Sequence, residues 1–212
     1  MRLAWVLGLL AAVGFFVGFV LDLPLLRVAS KPLPVLCMAG VVFAAPRSRY
    51  TDLIGIGLVL SALGDLLLEV DRFLLGLVAF LAGHLLYIAA YVSDSRALRP
   101  GRAVPAFLFG VAVVGFLWGG LGDMRVPVAV YTLVICTMLW RAAARLEPGT
   151  PGQRDRVYAL AGAIAFALSD SLVALRQFGS PPEAIRWAIM LLYWSGQLGI
   201  AASGVVRGRP EP

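Results

Sequence analysis

Charged residues are scarce in this chain, since Asp, Glu, Lys and Arg make up only 14% of its 212 residues. Soluble domains carry about 25% charged residues and about 45–50% apolar ones, whereas this chain is 60% hydrophobic with a mean hydropathy of +0.88. That balance excludes a soluble globular enzyme and a disordered chain. Only two cysteines are present, which excludes a secreted module held together by disulfides.

Histidine is nearly absent as well, because His84 is the only one. One histidine cannot build a His-rich zinc site, which argues against zinc-dependent membrane amidohydrolases such as alkaline ceramidases. The GxSxG elbow of serine hydrolases, the HExxH helix, a phosphate-binding glycine loop and a haem motif are missing too. We therefore expect no metal and no cofactor, and the chemistry left is acid/base catalysis by carboxylates.

Long apolar runs account for most of the chain. A bilayer core about 30 Å thick needs roughly 20 apolar residues per helix, and eight runs approach that length. They lie at residues 3–21, 32–46, 52–69, 73–93, 103–120, 126–146, 157–176 and 185–206. The sequence predicts an all-α polytopic membrane protein with eight transmembrane helices in a single integral membrane domain, residues 1–212. The second run is short and begins with prolines, a residue typical of a first helical turn.

The net charge of +6 comes from basic residues between the apolar runs, which indicates membrane orientation and no nucleic-acid partner. Eight spans put both termini on one side, with the cations Arg2, Arg47, Arg49, Arg96, Arg99, Arg102, Arg141, Arg145, Arg154, Arg156, Arg207 and Arg209. The other side holds Arg27, Lys31, Arg72, Arg125, Arg176 and Arg186. The positive-inside rule then predicts cytoplasmic termini in a bacterial-type inner membrane.

An internal repeat is suggested by two similar stretches. Leu-Gly-Asp ending at Asp65 is followed by Leu-Leu-Tyr ending at Tyr87, and Leu-Ser-Asp ending at Asp170 is followed by Leu-Leu-Tyr ending at Tyr193. Such spacing fits two four-helix halves, residues 1–102 and 103–206, in the same membrane orientation. Short matches also arise by chance in a leucine-rich chain.

Two acids lie well inside the apolar runs, Asp65 in the third and Asp170 in the seventh. An ionisable group there costs at least about 2.5–3.5 kcal/mol on insertion scales, so a pair kept only for packing is unfavourable. Both runs are expected to cross in the same direction, which places the two carboxylates at similar depth. Glu69 and Asp71 lie nearer the membrane surface and are expected to be solvated.

Other polar residues are expected near that depth. Tyr87 follows His84 at i+3 on one helical face, and Gln197 follows Tyr193 at i+4. Lys31, the only lysine, begins the second run. Each of these groups also suits a structural role, because buried polar side chains hydrogen-bond between membrane helices.

Five short motifs together resemble the YhhN/TMEM86 family. They are Ser30-Lys31-Pro32-Leu33-Pro34, Leu63-Gly64-Asp65, Gly83-His84-Leu85-Leu86-Tyr87, Phe166-Ala167-Leu168-Ser169-Asp170 and Tyr193-Trp194-Ser195-Gly196-Gln197. Each motif is weak alone, but their order and spacing cover nearly the whole chain.

The resemblance implies a lysoplasmalogenase, a membrane enzyme that hydrolyses the vinyl ether bond of a lysophospholipid substrate within membrane lipid. For that reaction we expect one of Asp65 and Asp170 to be the catalytic acid and the other the base, with the order left open, and His84 to orient water or a carboxylate. We expect Lys31 to meet the phosphate of the substrate. Tyr87, Tyr193 and Gln197 are expected to contact substrate oxygens.

Three alternatives remain open from the sequence. A small proton-coupled transporter also needs intramembrane acids, although no broken helices occur at corresponding places of the two halves. A hydrolase acting on another lysolipid or ether lipid keeps the same chemistry. A purely structural membrane protein leaves the paired acids unexplained. The sequence leaves the oligomeric state undetermined.

Overall fold

The computed structural model describes residues 2–147 and 153–207, in which helices are joined by short turns and loops and no strand occurs. The α-helices are α1 (Arg2–Val20), α2 (Pro24–Ser30), α3 (Leu33–Phe43), α4 (Arg49–Glu69), α5 (Phe73–Asp94), α6 (Ala103–Leu117), α7 (Arg125–Ala144), α8 (Arg154–Phe178) and α9 (Ile185–Arg207). Short 3₁₀ turns at Pro100–Arg102 and Gly122–Met124 precede α6 and α7. The predicted all-α class is confirmed. Arg209, one of the cations in the charge count, lies outside the described residues.

Eight helical segments of the described chain are long and apolar enough to cross a membrane, which confirms the predicted number of spans. They are Arg2–Val20, Pro24–Phe43, Arg49–Glu69, Phe73–Asp94, Pro100–Leu117, Gly122–Ala144, Arg154–Phe178 and Ile185–Arg207. The protein is therefore an integral membrane protein.

The second span differs from its predicted bounds, because it begins at Pro24 instead of residue 32 and consists of α2 and α3. The two helices are separated at Lys31 and Pro32. Pro32 and Pro34 lack the N–H that a helix donates to the carbonyl four residues earlier. The carbonyls of Val28 and Ser30 consequently lose their helical donors, which explains the interruption.

The contacts divide the chain into two compact units. The first contains α1 to α4, α5 as far as Ala90, and the end of α9 from Gly204; the second runs from Tyr91 to Ser203. In the first unit α1 and α4 both pack on α3, and α4 starts with a capping box. There the Thr51 amide donates to the Ser48 hydroxyl oxygen (3.2 Å) and the Ser48 amide donates to Thr51 Oγ1 (2.8 Å).

Glycines bring α4 and α5 close together in the first unit. A Cβ at Gly83 would lie 3.0 Å from the Gly57 carbonyl oxygen, and one at Gly64 would lie 2.6 Å from the Phe80 ring. A Cβ at Gly57 would collide with the Tyr87 ring. Small residues allow close helix approach in membranes, where van der Waals packing drives association.

In the second unit, α8 and α9 approach each other even more closely. A Cβ at Gly162 would lie 2.6 Å from both the Gly196 carbonyl oxygen and the Ile200 amide nitrogen. Both are backbone atoms, so the two helices touch along their main chains at this point.

Arg145 anchors one end of the second unit. Its side chain is fully buried, with Nε 2.7 Å from Asp94 Oδ2, Nη2 2.9 Å from Asp155 Oδ2 and the guanidinium carbon 5.1 Å from the centre of the Tyr91 ring. Arg141 is buried as well, and it donates to the Ala97 carbonyl (2.9 Å). Arg141 therefore lies inside α7 and not between the apolar runs as expected, whereas Arg145 directly follows α7 and is buried among carboxylates.

Candidate functional site

Asp65 occupies the buried face of α4 in the first unit, one helical turn after Ser61. Ser61 donates to the Gly57 carbonyl oxygen (3.0 Å) and lies 3.3 Å from the Tyr87 hydroxyl. Either hydroxyl of this pair can be the donor. His84 is fully buried on α5, its ring centre 6.3 Å from that of Tyr87 in an edge-on arrangement. The structure thus brings His84 and Tyr87 together, as the i+3 spacing predicts.

One further turn along α4, Glu69 joins two cations in what we call the Glu69 cluster: Arg27, Lys31 and Glu69. Arg27 Nε lies 3.1 Å from Glu69 Oε1, and Lys31 Nζ lies 3.1 Å from Glu69 Oε2. The Glu69 side chain is only 10% exposed. The expectation that Glu69 is solvated is therefore wrong, because two basic side chains from the broken second span cover it, whereas Asp71 is exposed as expected.

Asp170 lies on α8 in the second unit and accepts a hydrogen bond from a residue that the sequence analysis did not select. The Tyr131 hydroxyl on α7 donates to Asp170 Oδ2 at 2.5 Å. The bond fixes the carboxylate orientation and occupies one oxygen, leaving Oδ1 as the acceptor for other donors. The signal that would have found Tyr131 is a lone phenol inside an apolar run, which usually needs a hydrogen-bond partner when buried.

Tyr193 and Gln197 are both buried on α9. The Tyr193 ring packs edge-on against Phe166, with 5.5 Å between the ring centres. Beside them, the buried Ser169 hydroxyl donates to the Ile189 carbonyl oxygen (3.0 Å), which ties α8 to α9 next to Asp170. The face of α9 that carries the predicted binding residues therefore packs against α8.

Asp65 and Asp170 belong to different units, and each is placed here within its own unit. Asp65 lies one helical turn from Ser61, whose hydroxyl is 3.3 Å from that of Tyr87, and Asp170 is bonded to Tyr131. That the two aspartates serve one site stays a prediction.

The second unit also contains an apolar groove of about 330 Å³ between α6, α7 and α8. Phe109, Leu139, Leu160, Ile164 and Leu168 are among its lining residues. Leu160, Ile164 and Leu168 follow one another at i+4 and lead along α8 towards Asp170. The groove suits an aliphatic chain.

The described residues 2–147 and 153–207 contain no group of three or more His, Cys, Asp or Glu side chains arranged to hold a metal ion. The clusters around both aspartates offer hydroxyl, carboxylate and imidazole groups instead. Such groups suit proton transfer and hydrogen bonding to oxygen atoms.

Comparison with known proteins assigns the chain to a family. The model of the YhhN family matches residues 26–204. Lysoplasmalogenase TMEM86B of Homo sapiens is 35% identical over 178 residues, which cover 82% of this chain and 74% of that protein. Lysoplasmalogenase TMEM86A of Bos taurus is 32% identical over 191 residues, covering 85% and 78%.

A bacterial relative, the lysoplasmalogenase of Mycobacterium bovis, is 31% identical over 199 residues, which cover 89% of this chain and 73% of that protein. No solved structure matches the chain. The matched region includes both aspartates, the lone histidine and the Glu69 cluster, and on this agreement the chain belongs to the YhhN family.

Proposed function

We propose that this protein is a lysoplasmalogenase, a membrane hydrolase that converts a lysoplasmalogen and water into a fatty aldehyde and a glycerophospho-headgroup. The observation that carries the proposal is the 31–35% identity to animal and bacterial lysoplasmalogenases over more than four fifths of the chain. Buried acids inside apolar helices and a groove suited to an aliphatic chain support a lipid substrate.

The chemistry requires an acid and a base. A proton donor adds H⁺ to the β-carbon of the vinyl ether, which produces an oxocarbenium ion. Water then attacks the α-carbon and gives up a proton to the base, forming a hemiacetal. Collapse of the hemiacetal breaks the bond to the glycerol oxygen, which takes a proton as the aldehyde leaves. The protein forms no covalent bond to the substrate in this scheme, and the carboxylate pair resembles that of glycosidases, whose transition state is also oxocarbenium-like.

We assign the two aspartates to these two roles. Asp170 suits the base, because Tyr131 holds one carboxylate oxygen and the other is left to accept a proton from water. Asp65, buried on α4, then serves as the proton donor. His84, fully buried on α5, would orient the water or a carboxylate.

The remaining predicted residues stay proposals for substrate binding. Tyr87, Tyr193 and Gln197 would contact oxygens of the substrate, and Lys31 would contact its phosphate. The Tyr87 hydroxyl lies 3.3 Å from Ser61 Oγ, so the two hydroxyls would meet the substrate together.

The specific membrane and the orientation are also proposals. Twelve basic residues on the side of both termini against six on the other support cytoplasmic termini in a bacterial-type inner membrane. Reporter domains fused to either terminus, one active only in the cytoplasm and one only outside it, test the orientation. Activity of the external reporter would contradict it.

The proposed activity is tested by aldehyde release from purified protein. A 1-alkenyl lysophospholipid should yield aldehyde, whereas its 1-acyl ester counterpart should yield neither aldehyde nor free acid. Detergent micelles without the protein serve as the control. Proton or solute flux in liposomes without aldehyde release would instead favour a carrier.

A further inference from the structure

The Glu69 cluster carries charge that the acid/base scheme does not use. Glu69 pairs with Arg27 Nε and Lys31 Nζ at 3.1 Å each. Two cations and one carboxylate leave a formal charge of +1 in a nearly buried position, with Lys31 12% and Arg27 20% exposed. That charge complements a phosphodiester, which carries one negative charge.

Both cations retain hydrogen-bond donors for such a phosphate. A guanidinium has five N–H donors and an ammonium has three, while Glu69 engages one nitrogen of each. Arg27 Nη1 also lies 3.4 Å from Asp22 Oδ1, but the Asp22 side chain is 89% exposed. Exposed ion pairs contribute little, so a phosphate can replace Asp22 at this position.

The distance along α4 matches the dimensions of a lysolipid. Glu69 follows Asp65 by four residues, which places the two side chains on one helical face with a rise of about 6 Å between them. In glycerophospholipids, five covalent bonds join the sn-1 ether oxygen to phosphorus, and at about 1.2 Å of advance per extended bond they span about 6 Å. A phosphate held beside Glu69 therefore leaves the vinyl ether at the level of Asp65.

We propose that Arg27 and Lys31, charge-balanced by Glu69, bind the phosphate of the lysolipid substrate. The proposal rests on the function proposed above. It adds Arg27 to the phosphate contact predicted for Lys31 and gives Glu69 the task of holding both cations. The interruption between α2 and α3 places Lys31 at this position.

The test measures binding separately from turnover. The ligands are a saturated 1-O-alkyl lysophospholipid, which lacks the reactive double bond, and the 1-O-alkylglycerol of the same chain length, which lacks the phosphate. The wild-type protein in detergent should bind the phosphorylated ligand at least about tenfold more tightly, since hydrogen bonds to charged groups are strong. Equal dissociation constants for the two ligands would overturn the proposal.

Variants show which residues cause the preference for the phosphorylated ligand. Arg27→Gln and Lys31→Gln should each weaken binding of the phosphorylated ligand by about tenfold or more and change alkylglycerol binding by less than about twofold. Lys31→Arg keeps the cation and should retain tight binding. Arg72→Gln, an exposed arginine three residues after Glu69, is the matched control and should bind both ligands as the wild type does.

The outcomes separate this proposal from the enzymatic one. Losses of equal size for both ligands would show that the cluster only supports the fold, and the phosphate site would be rejected. Because the wild-type comparison needs no variant, a variant that fails to fold does not decide the matter. If the wild type prefers the phosphorylated ligand but releases no aldehyde from a 1-alkenyl lysophospholipid, the enzymatic proposal fails and the phosphate site stands.

Discussion

The α4–α5 and α8–α9 hairpins share a glycine and an aspartate at the same spacing, but the two aspartates have different neighbours. In each hairpin a glycine lies eight residues before the aspartate, Gly57 before Asp65 and Gly162 before Asp170. Each glycine meets the partner helix. At the position four residues before the aspartate, however, α4 has Ser61 whereas α8 has Phe166.

The tyrosine on the partner helix contacts a different type of residue at this position in each hairpin. Tyr87 bonds to Ser61, whereas Tyr193 packs on the Phe166 ring. In the second unit a third helix supplies the phenol, because Tyr131 on α7 bonds to Asp170. Helical spacing therefore sets which residues face the partner helix, and residue identity sets the polar chemistry. The sequence repeat itself stays a prediction.

The largest expected effect comes from the aspartates. Asp65→Asn and Asp170→Asn should each lower kcat for aldehyde release by about 10²–10⁴, because each removes an acid/base group while keeping its shape. Thermal unfolding in detergent checks that both variants remain folded. Near-normal turnover by either variant would defeat the two-carboxylate mechanism and show that the hairpins are not equivalent in function.

Tyr131→Phe tests whether the second aspartate depends on its phenol. Losing a hydrogen bond to a charged group costs about 1.5–3 kcal/mol, and we expect kcat/KM to fall about 10–100-fold. Tyr158→Phe, at an exposed tyrosine on α8, is the matched control and should retain full activity. A Tyr131→Phe enzyme as active as this control would mean that Asp170 works without the phenol.

Adding a methyl group at the paired glycines compares the two interfaces. Gly162→Ala should destabilise by about 1–3 kcal/mol, since backbone atoms at 2.6 Å cannot give way without separating the helices. Gly57→Ala should cost less, because the Tyr87 side chain can shift. The thermal midpoint in detergent is the measurement. Gly40→Ala is the control, because its new Cβ meets nothing within 4 Å, and it should leave the stability unchanged or raise it. A greater loss of stability at Gly57 than at Gly162 would show that the α4–α5 interface is the less tolerant of the two.

The smallest effect concerns the bond between Ser61 and Tyr87. A double-mutant cycle of Ser61→Ala and Tyr87→Phe should give a coupling energy of about 0.5–1.5 kcal/mol in unfolding stability. Additive effects would mean that the bond between these two hydroxyls contributes nothing to stability. The Ser61–Tyr87 pair and the Phe166–Tyr193 pair would then differ only in how their side chains pack.

The sequence predicts the number and approximate position of the spans, because hydropathy over about 20 residues reports membrane crossing directly. It fails at the second span. Arg27 and Lys31 make residues 24–31 look like a loop, and their partner Glu69 lies 38 residues beyond Lys31. A local hydropathy pattern carries no information about such long-range charge pairing.

In the candidate site, too, contacts within one helix could be predicted from the sequence and contacts between helices could not. His84 and Tyr87 are found together because a helix brings residues three apart onto one face. Tyr131 could not be linked to Asp170 in this way, since the two residues lie on different helices and nothing in their spacing couples them. Arg145 lies after the end of α7, as its sequence position indicates, but its burial between Asp94 and Asp155 could not be predicted because those partners belong to other helices.

The two predicted halves, residues 1–102 and 103–206, also differ in whether their second span is one continuous helix. Cys136, the position 105 residues after Lys31, lies inside the uninterrupted helix α7. The break at Lys31 and Pro32 has no counterpart at this position of α7. Interruptions at corresponding positions are the expected sign of a carrier built from repeats.

Hydrolysis inside a bilayer depends on getting water to a place from which hydrocarbon excludes it. The carbonyls of Val28 and Ser30, released by the two prolines that follow them, are acceptors of the kind to which isolated water molecules attach within a membrane. The interrupted second span thus leaves backbone acceptors beside the charged residues of the first unit, and replacing Pro32 by alanine would restore a helical donor to the Val28 carbonyl.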